Sequence, residues 1–119
     1  MGTKLKLGLI GIGHLGKIHL KCILDCAEIE LTGCYDLDTD ALKSVCEEYK
    51  VKQFTSFEEL HAASDAVDIV TPTVTHYHLA SQAIVANKHC FIEKPVTVSL
   101  EEALALKELQ QKHPVKIQI

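Results

Sequence analysis

Three glycines spaced as Gly11-Ile12-Gly13-His14-Leu15-Gly16, set between an apolar run and a helix-like segment, constrain this chain more than any other feature. Leu5-Lys6-Leu7-Gly8-Leu9-Ile10 reads as a buried first strand, and Leu15, Ile18, Cys22 and Cys26 recur behind it at helical spacing. A strand that becomes a helix within so few residues needs Gly11 for the bend and Gly16 for close packing of helix on strand. Gly13 leaves the backbone bare where a phosphate would approach, and the helix start would aim unpaired N–H groups at that anion. These six residues form a candidate pyrophosphate site.

The glycine pattern alone recurs by chance, so the discriminating residue is an acid about twenty positions on, closing a second strand. Asp36 stands there, at the end of the alternating segment Glu-Leu-Thr-Gly-Cys-Tyr-Asp. A carboxylate at that strand end can accept both ribose hydroxyls of an adenosine.

The remaining chain keeps alternating strand and helix. Asp38 or Thr39 opens a second helix carrying Ala41, Leu42, Val45, Cys46 and Tyr49, and Gln53 to Thr55 reads as a short third strand. Ser56-Phe57-Glu58-Glu59 and Ser99-Leu100-Glu101-Glu102 are capping-box patterns, each announcing a helix. Between them, Val67 to Thr71 and His89 to Ile92 read as strands, separated by a helix with Thr75 as its expected cap and Asn87 as a left-handed terminator. The last helix places Leu100, Ala103, Leu106 and Leu109 on its inner side, and Val115 to Ile119 is the sixth strand. Right-handed crossovers turn this order into one domain, residues 1–119: an α/β doubly wound parallel six-stranded sheet of order 3-2-1-4-5-6. Since the chain ends as its last strand does, no residues are expected to remain for a separate substrate domain.

Composition narrows the partners. With 119 residues, 47% hydrophobic, there is apolar material for one sizeable core. A formal net charge of −4 and scattered lysines leave no footprint for nucleic acid. No apolar run approaches the length of a membrane span. Lys6 stands where acylation of Gly2 wants Ser or Thr. Five cysteines without a regular framework, Cys22 and Cys26 among them on the first helix, read as reduced core thiols, which places the chain in the cytoplasm as the simplest expectation. His76 and His78 lie two apart, a spacing that points helical side chains away from a common metal. Asp36, Asp38, Asp40 and Glu47 imitate a calcium loop, but Ala41 takes the position its turn reserves for glycine. No metal site is expected.

Two further segments make a family resemblance specific: Thr71-Pro72-Thr73-Val74-Thr75-His76 after the fourth strand and Glu93-Lys94-Pro95 after the fifth. With the glycine loop and Asp36, they make the chain similar over essentially its whole length to the amino-terminal half of the glucose-fructose oxidoreductase, inositol dehydrogenase and MocA family. That resemblance implies an NAD(P)-dependent oxidoreductase transferring a hydride between nicotinamide and a hydroxyl carbon of a sugar, cyclitol or sugar nucleotide. It also implies a second, larger domain for most substrate contacts, without which the fragment would be inactive and, with apolar surface bared, able to self-associate.

By position, Gly11, Ile12, Gly13, His14, Leu15 and Gly16 would line the pyrophosphate and Asp36 would hold the adenosine ribose. Thr71, Pro72, Thr73 and His76 would border the nicotinamide side, Glu93 and Lys94 would flank its ring, and Pro95 resembles the family's cis proline. Thr73 departs from the Asn of many relatives, and Asn87 from their Gly. Lys94 is the catalytic candidate: as a cation it would stabilise a developing alkoxide, and with its pKa lowered by burial it would relay the proton. NAD is expected over NADP, because Asp36 repels a 2′-phosphate, Leu37 offers no counter-charge and the chain has no arginine. The competing reading is a non-catalytic nucleotide sensor or interaction module, against which the intact Glu93-Lys94-Pro95 argues.

Overall fold

The short apolar runs become neighbouring strands of one parallel sheet. A computed structural model describes residues 3–119; Gly2, considered above for acylation, lies outside them. Strand β1 (Leu5–Ile10) leads through the glycine loop into α1 (His14–Asp25), followed by β2 (Ile29–Tyr35), α2 (Thr39–Tyr49) and α3 (Phe57–Ala63). Then come β3 (Ala66–Ile69), a 3-10 turn (Thr73–Thr75), α4 (His76–Val85), β4 (His89–Ile92), α5 (Leu100–Lys112) and β5 (Ile117–Gln118).

The sheet has five strands in the order β2-β1-β3-β4-β5, paired in parallel throughout. The expected third strand is the correction: Gln53 makes a single parallel bridge to Cys34 beside β2, the right place in the order but not a strand. Its neighbours explain the shortfall, since Phe54 turns inward as a buried core residue and Ser56 already caps α3. The last strand shrinks likewise to Ile117–Gln118, with Pro114 withholding a donor just before it.

Two apolar layers flank the sheet. On one side Leu7, Leu9 and Cys34 pack with Leu20 and Ile23 of α1 and Leu42, Val45 and Cys46 of α2. On the other, Ile10, Val67, Ile69, Cys90 and Ile92 meet Leu60 of α3, four residues of α4 and Leu106 of α5. The buried stripe of α1 is Gly16, Leu20 and Ile23; the expected inner stripe of Leu15, Ile18 and Cys22 is exposed, and Cys26 only half-buried. Cys34, Cys46 and Cys90 are buried, so three of the five cysteines are core thiols. Leu100 is also exposed, leaving Leu106 as the buried anchor of α5.

Helix ends follow the expected chemistry with small displacements. Asp38, Ser56 and Ser99 cap α2, α3 and α5 by accepting from Ala41, Glu59 and Glu102 N–H groups. In both capping boxes the glutamate reaches one residue further back than the reciprocal pattern, to Thr55 N–H and Val98 N–H. Thr75 does not cap α4; its hydroxyl donates to the Pro72 carbonyl and the helix is entered through the 3-10 turn. Asn87 has φ 60°, and the N–H groups of Asn87 and Lys88 close on the carbonyls of Ile84 and Ala83, the hydrogen-bond pair that seals a left-handed helix end.

Candidate functional site

The strand order reverses direction between β1 and β3, and loops leaving their carboxyl ends part there to open a crevice of about 770 Å³. Gly11, Gly13, His14, Leu15, Gly16, Asp36, Thr71 and Pro72 of the expected residues line it together. Leu37, Tyr35, Phe57, Val74, Thr75 and His78 line it as well, beyond the residues expected to bind the coenzyme. Leu37 and Val74 stand at the mouth with 76% and 73% exposure, and Tyr35 and Phe57 pack edge-to-face with ring centres 4.7 Å apart.

The three glycines serve three different spatial needs. A Cβ on Gly11 would lie 2.3 Å from the Val70 carbonyl oxygen, at φ 101°, and one on Gly16 would lie 2.1 Å from the Gly11 carbonyl oxygen. Nothing lies within 4 Å of a Cβ built on Gly13. Gly13 is also the N-cap of α1, with no side chain capping it and no acid in the first turn. The first N–H groups of α1 have no intrahelical partner and no side chain caps them, and the place of a Gly13 Cβ beside them is clear. Backbone donors, helix dipole and a missing Cβ converge on a place that fits a phosphate.

Asp36 closes the crevice from β2. Its Oδ2 accepts the Ile12 N–H at 2.9 Å and its Oδ1 the Asp38 N–H at 2.8 Å, which ties the glycine loop to the start of α2. Each oxygen keeps a second lone pair for a ribose hydroxyl. Ile12 contributes this backbone link, while its side chain is buried in the α1 layer.

Thr73, His76, Glu93, Lys94 and Pro95 do not line this crevice. His76 is 1% exposed, its ring set between the carbonyl oxygens of Thr71 and Pro95 at 2.8 and 3.0 Å. It joins the loop after β3 to the loop after β4 from beneath. Lys94 and Pro95 are exposed at the end of β4, and the bond between them is cis.

The structure adds a cluster absent from the sequence reading. His19, in the second turn of α1, sets Nδ1 2.7 Å from Asp68 Oδ2 and Nε2 2.9 Å from Glu93 Oε2. Burial opposes charge on His19, but hydrogen bonds and charges from Asp68 and Glu93 outweigh it and raise its pKa. Burial also raises the pKa of Asp68, with His19 acting against the rise. The available signal was Asp68 itself, an acid within the buried run Val67-Asp68-Ile69-Val70, which needs a partner wherever the strand lies.

The model of an oxidoreductase family with an NAD-binding Rossmann fold matches residues 5–119. The chain belongs to the GFO/IDH/MocA family. This family segment is 41% identical over 112 residues to the UDP-N-acetylglucosamine 3-dehydrogenase of Acidithiobacillus ferrooxidans, matching 93% of this chain and 35% of that protein. A solved structure of a UDP-N-acetylglucosamine 3-dehydrogenase from the same organism has a TM-score of 0.89 at 38% identity, covering 98% of this chain and 38% of that one. An inositol 2-dehydrogenase of Rhizobium meliloti is 33% identical over 102 residues, 84% of this chain and 31% of its own. The chain spans about a third of the length of these curated relatives. It is an NAD-binding GFO/IDH/MocA domain, and among its described residues no helix is long and apolar enough to cross a membrane.

Proposed function

We propose that this GFO/IDH/MocA domain holds the coenzyme of a dehydrogenase that moves a hydride between NAD and a hydroxyl-bearing carbon of a sugar, cyclitol or sugar nucleotide. The observation carrying this reading is the clear place of a Gly13 Cβ at a helix start that no side chain caps. First-turn N–H groups of α1 cradle the pyrophosphate there, and the spare lone pairs of Asp36 receive the ribose hydroxyls. Leu37 and Val74 present apolar surface to the flat base from the crevice mouth.

NAD is preferred to NADP on electrostatic grounds. A 2′-phosphate would lie against the Asp36 carboxylate, with Leu37 next in sequence and no arginine anywhere in the chain to compensate. Bound nicotinamide supplies the hydride acceptor or donor. Lys94, exposed on the turn after β4, is the group assigned to the substrate hydroxyl, where it steadies or exchanges the proton as the carbon changes oxidation state. The named activities of the two relatives, on a sugar nucleotide and on inositol, support a polyhydroxyl substrate. Chain beyond this third of the relatives' length supplies the opposite wall of the reaction site.

Calorimetric titration of the chain with NADH and with NADPH tests the reading. One-to-one binding of NADH, tighter than NADPH, is expected. Tighter NADPH binding reverses the coenzyme assignment, and no heat with either coenzyme removes the function.

A further inference from the structure

The His19 cluster joins the two ends of the site and has no part in the reading above. His19 rises from α1, the helix whose start faces the crevice, while Glu93 begins the turn bearing Lys94. We propose that His19 is a positioning residue: held between Asp68 and Glu93, its ring pins the Glu93-Lys94-Pro95 turn to helix α1, so that the pyrophosphate end and the reacting end of the site are fixed to each other. What the pinned turn does rests on the dehydrogenase reading; the pin itself rests on the geometry.

Proton counting gives the pin a chemical condition. Two hydrogen bonds join three groups, and each bond needs one proton, so the imidazole and two carboxyls together hold two. The cluster then carries one net negative charge. Losing a proton breaks one bond and leaves two negative charges in a place where the side chains are only 17%, 3% and 23% exposed for His19, Asp68 and Glu93. The more exposed Glu93 is the member that can turn to water. Its Oε1 also accepts the Lys94 N–H at 3.2 Å, so its release is felt at Lys94 first.

The charged groups acting on the His19 ring are Asp68 from β3 and Glu93 from the end of β4, with the Phe91 ring of β4 edge-on at 6.1 Å. Both charges favour the protonated ring. Asp68 also makes sense only in this company. Its Oδ1 is buried without a hydrogen-bond partner among the described residues, a cost that an apolar residue at that strand position would avoid.

The test is a pH titration of the chain by NMR, following the His19 ring and the Lys94 backbone amide together. The expected His19 midpoint lies above the ordinary value of about 6.5, falls by about half a unit or more in Glu93→Gln, and is reproduced by the Lys94 amide. In His19→Gln, which keeps a donor but does not titrate, the Lys94 amide should be flat over the same range. A His19 midpoint at or below the ordinary value and indifferent to Glu93→Gln overturns the pin, as does a Lys94 amide that titrates unchanged in His19→Gln. Glu93→Gln changes the most exposed member of the cluster and keeps the comparison open should His19→Gln fold poorly. No coenzyme enters these measurements, so failure to bind NADH removes the dehydrogenase reading alone, and a Lys94 amide that ignores His19 removes this one alone.

Discussion

At the scale of single residues, the glycine loop separates folding from binding. Gly16 is required by the fold, because its missing Cβ lets α1 rest on the Gly11 carbonyl oxygen, 2.1 Å from where that Cβ would be. Gly16→Ala should therefore cost about 2–4 kcal/mol of stability, measured by urea unfolding, since backbone on both sides has to move. Gly13 meets nothing within 4 Å and has φ −66°, which an alanine adopts. Gly13→Ala should lose no more than about 1 kcal/mol, the difference between the two as N-caps, yet weaken NADH binding about tenfold or more. Equal losses of stability in the two variants would refute this division. The sequence pattern made the three positions and their separate duties legible, but not the groups that stand opposite them, the Val70 carbonyl against Gly11 and the Gly11 carbonyl against Gly16. His19 was illegible for a related reason: its partners Asp68 and Glu93 lie 49 and 74 residues away. The acid in the apolar strand announced a need without naming the residue that meets it.

Among the elements, legibility followed how local the deciding contact is. The caps of α2, α3 and α5 were readable because the cap oxygen and the N–H that donates to it sit three residues apart. The rotation of α1 was not, because Leu15, Ile18 and Cys22 compete with Leu20 and Ile23 as apolar stripes on one helix. Gly16 decides between them: it must face Gly11, and Leu20 and Ile23 follow it on the same side at helical spacing. The third strand failed for lack of length, since the segment forms one bridge, Gln53 opposite Cys34, closed by the Lys52 carbonyl and the Phe54 N–H. Helix ends offer a prediction of their own. Asn87 at φ 60° tolerates the left-handed region and uses its side-chain Oδ1 to accept from His113 Nδ1 at 3.0 Å, tying the end of α4 to the end of α5. Lys50 closes α2 at φ 56° and ψ 47°, exposed and with a Cβ the conformation disfavours. Lys50→Gly should raise stability by about 0.5–1 kcal/mol, read as an upward shift of the thermal midpoint, whereas Asn87→Gly should gain less because it gives up the His113 bond.

For the whole molecule, stability against pH is set by buried groups whose ionisation differs between the folded and unfolded chain. Burial, with Lys88 adding to it and Glu58 opposing, lowers the pKa of His61, whose Nε2 has no hydrogen-bond partner among the described residues. The unfolded chain then takes up a proton that the folded one refuses, so this contribution is present above the ordinary histidine value and is lost as pH falls below it. On the alkaline side the sign is opposite. Burial pushes Cys90 up to about 12, and burial together with Cys46 does the same for Cys34. Unfolded thiols ionise near pH 9 while the folded ones stay neutral, so stability falls as pH rises from there toward 12. His19 and Asp68, both raised, also lose stability with rising pH, His19 from its ordinary value upward and Asp68 from the ordinary carboxyl range. Thermal midpoints recorded from acid to alkaline pH should resolve these limbs by substitution. His61→Leu should flatten the fall below about pH 6.5, because an apolar side chain takes up no proton in either state. Cys90→Ala should lower stability at neutral pH through lost packing and yet make the decline above about pH 9 shallower, because one of the thiols driving it is gone. Parallel profiles for parent and variant on either limb would mean that the group replaced there keeps its ordinary ionisation in the folded chain.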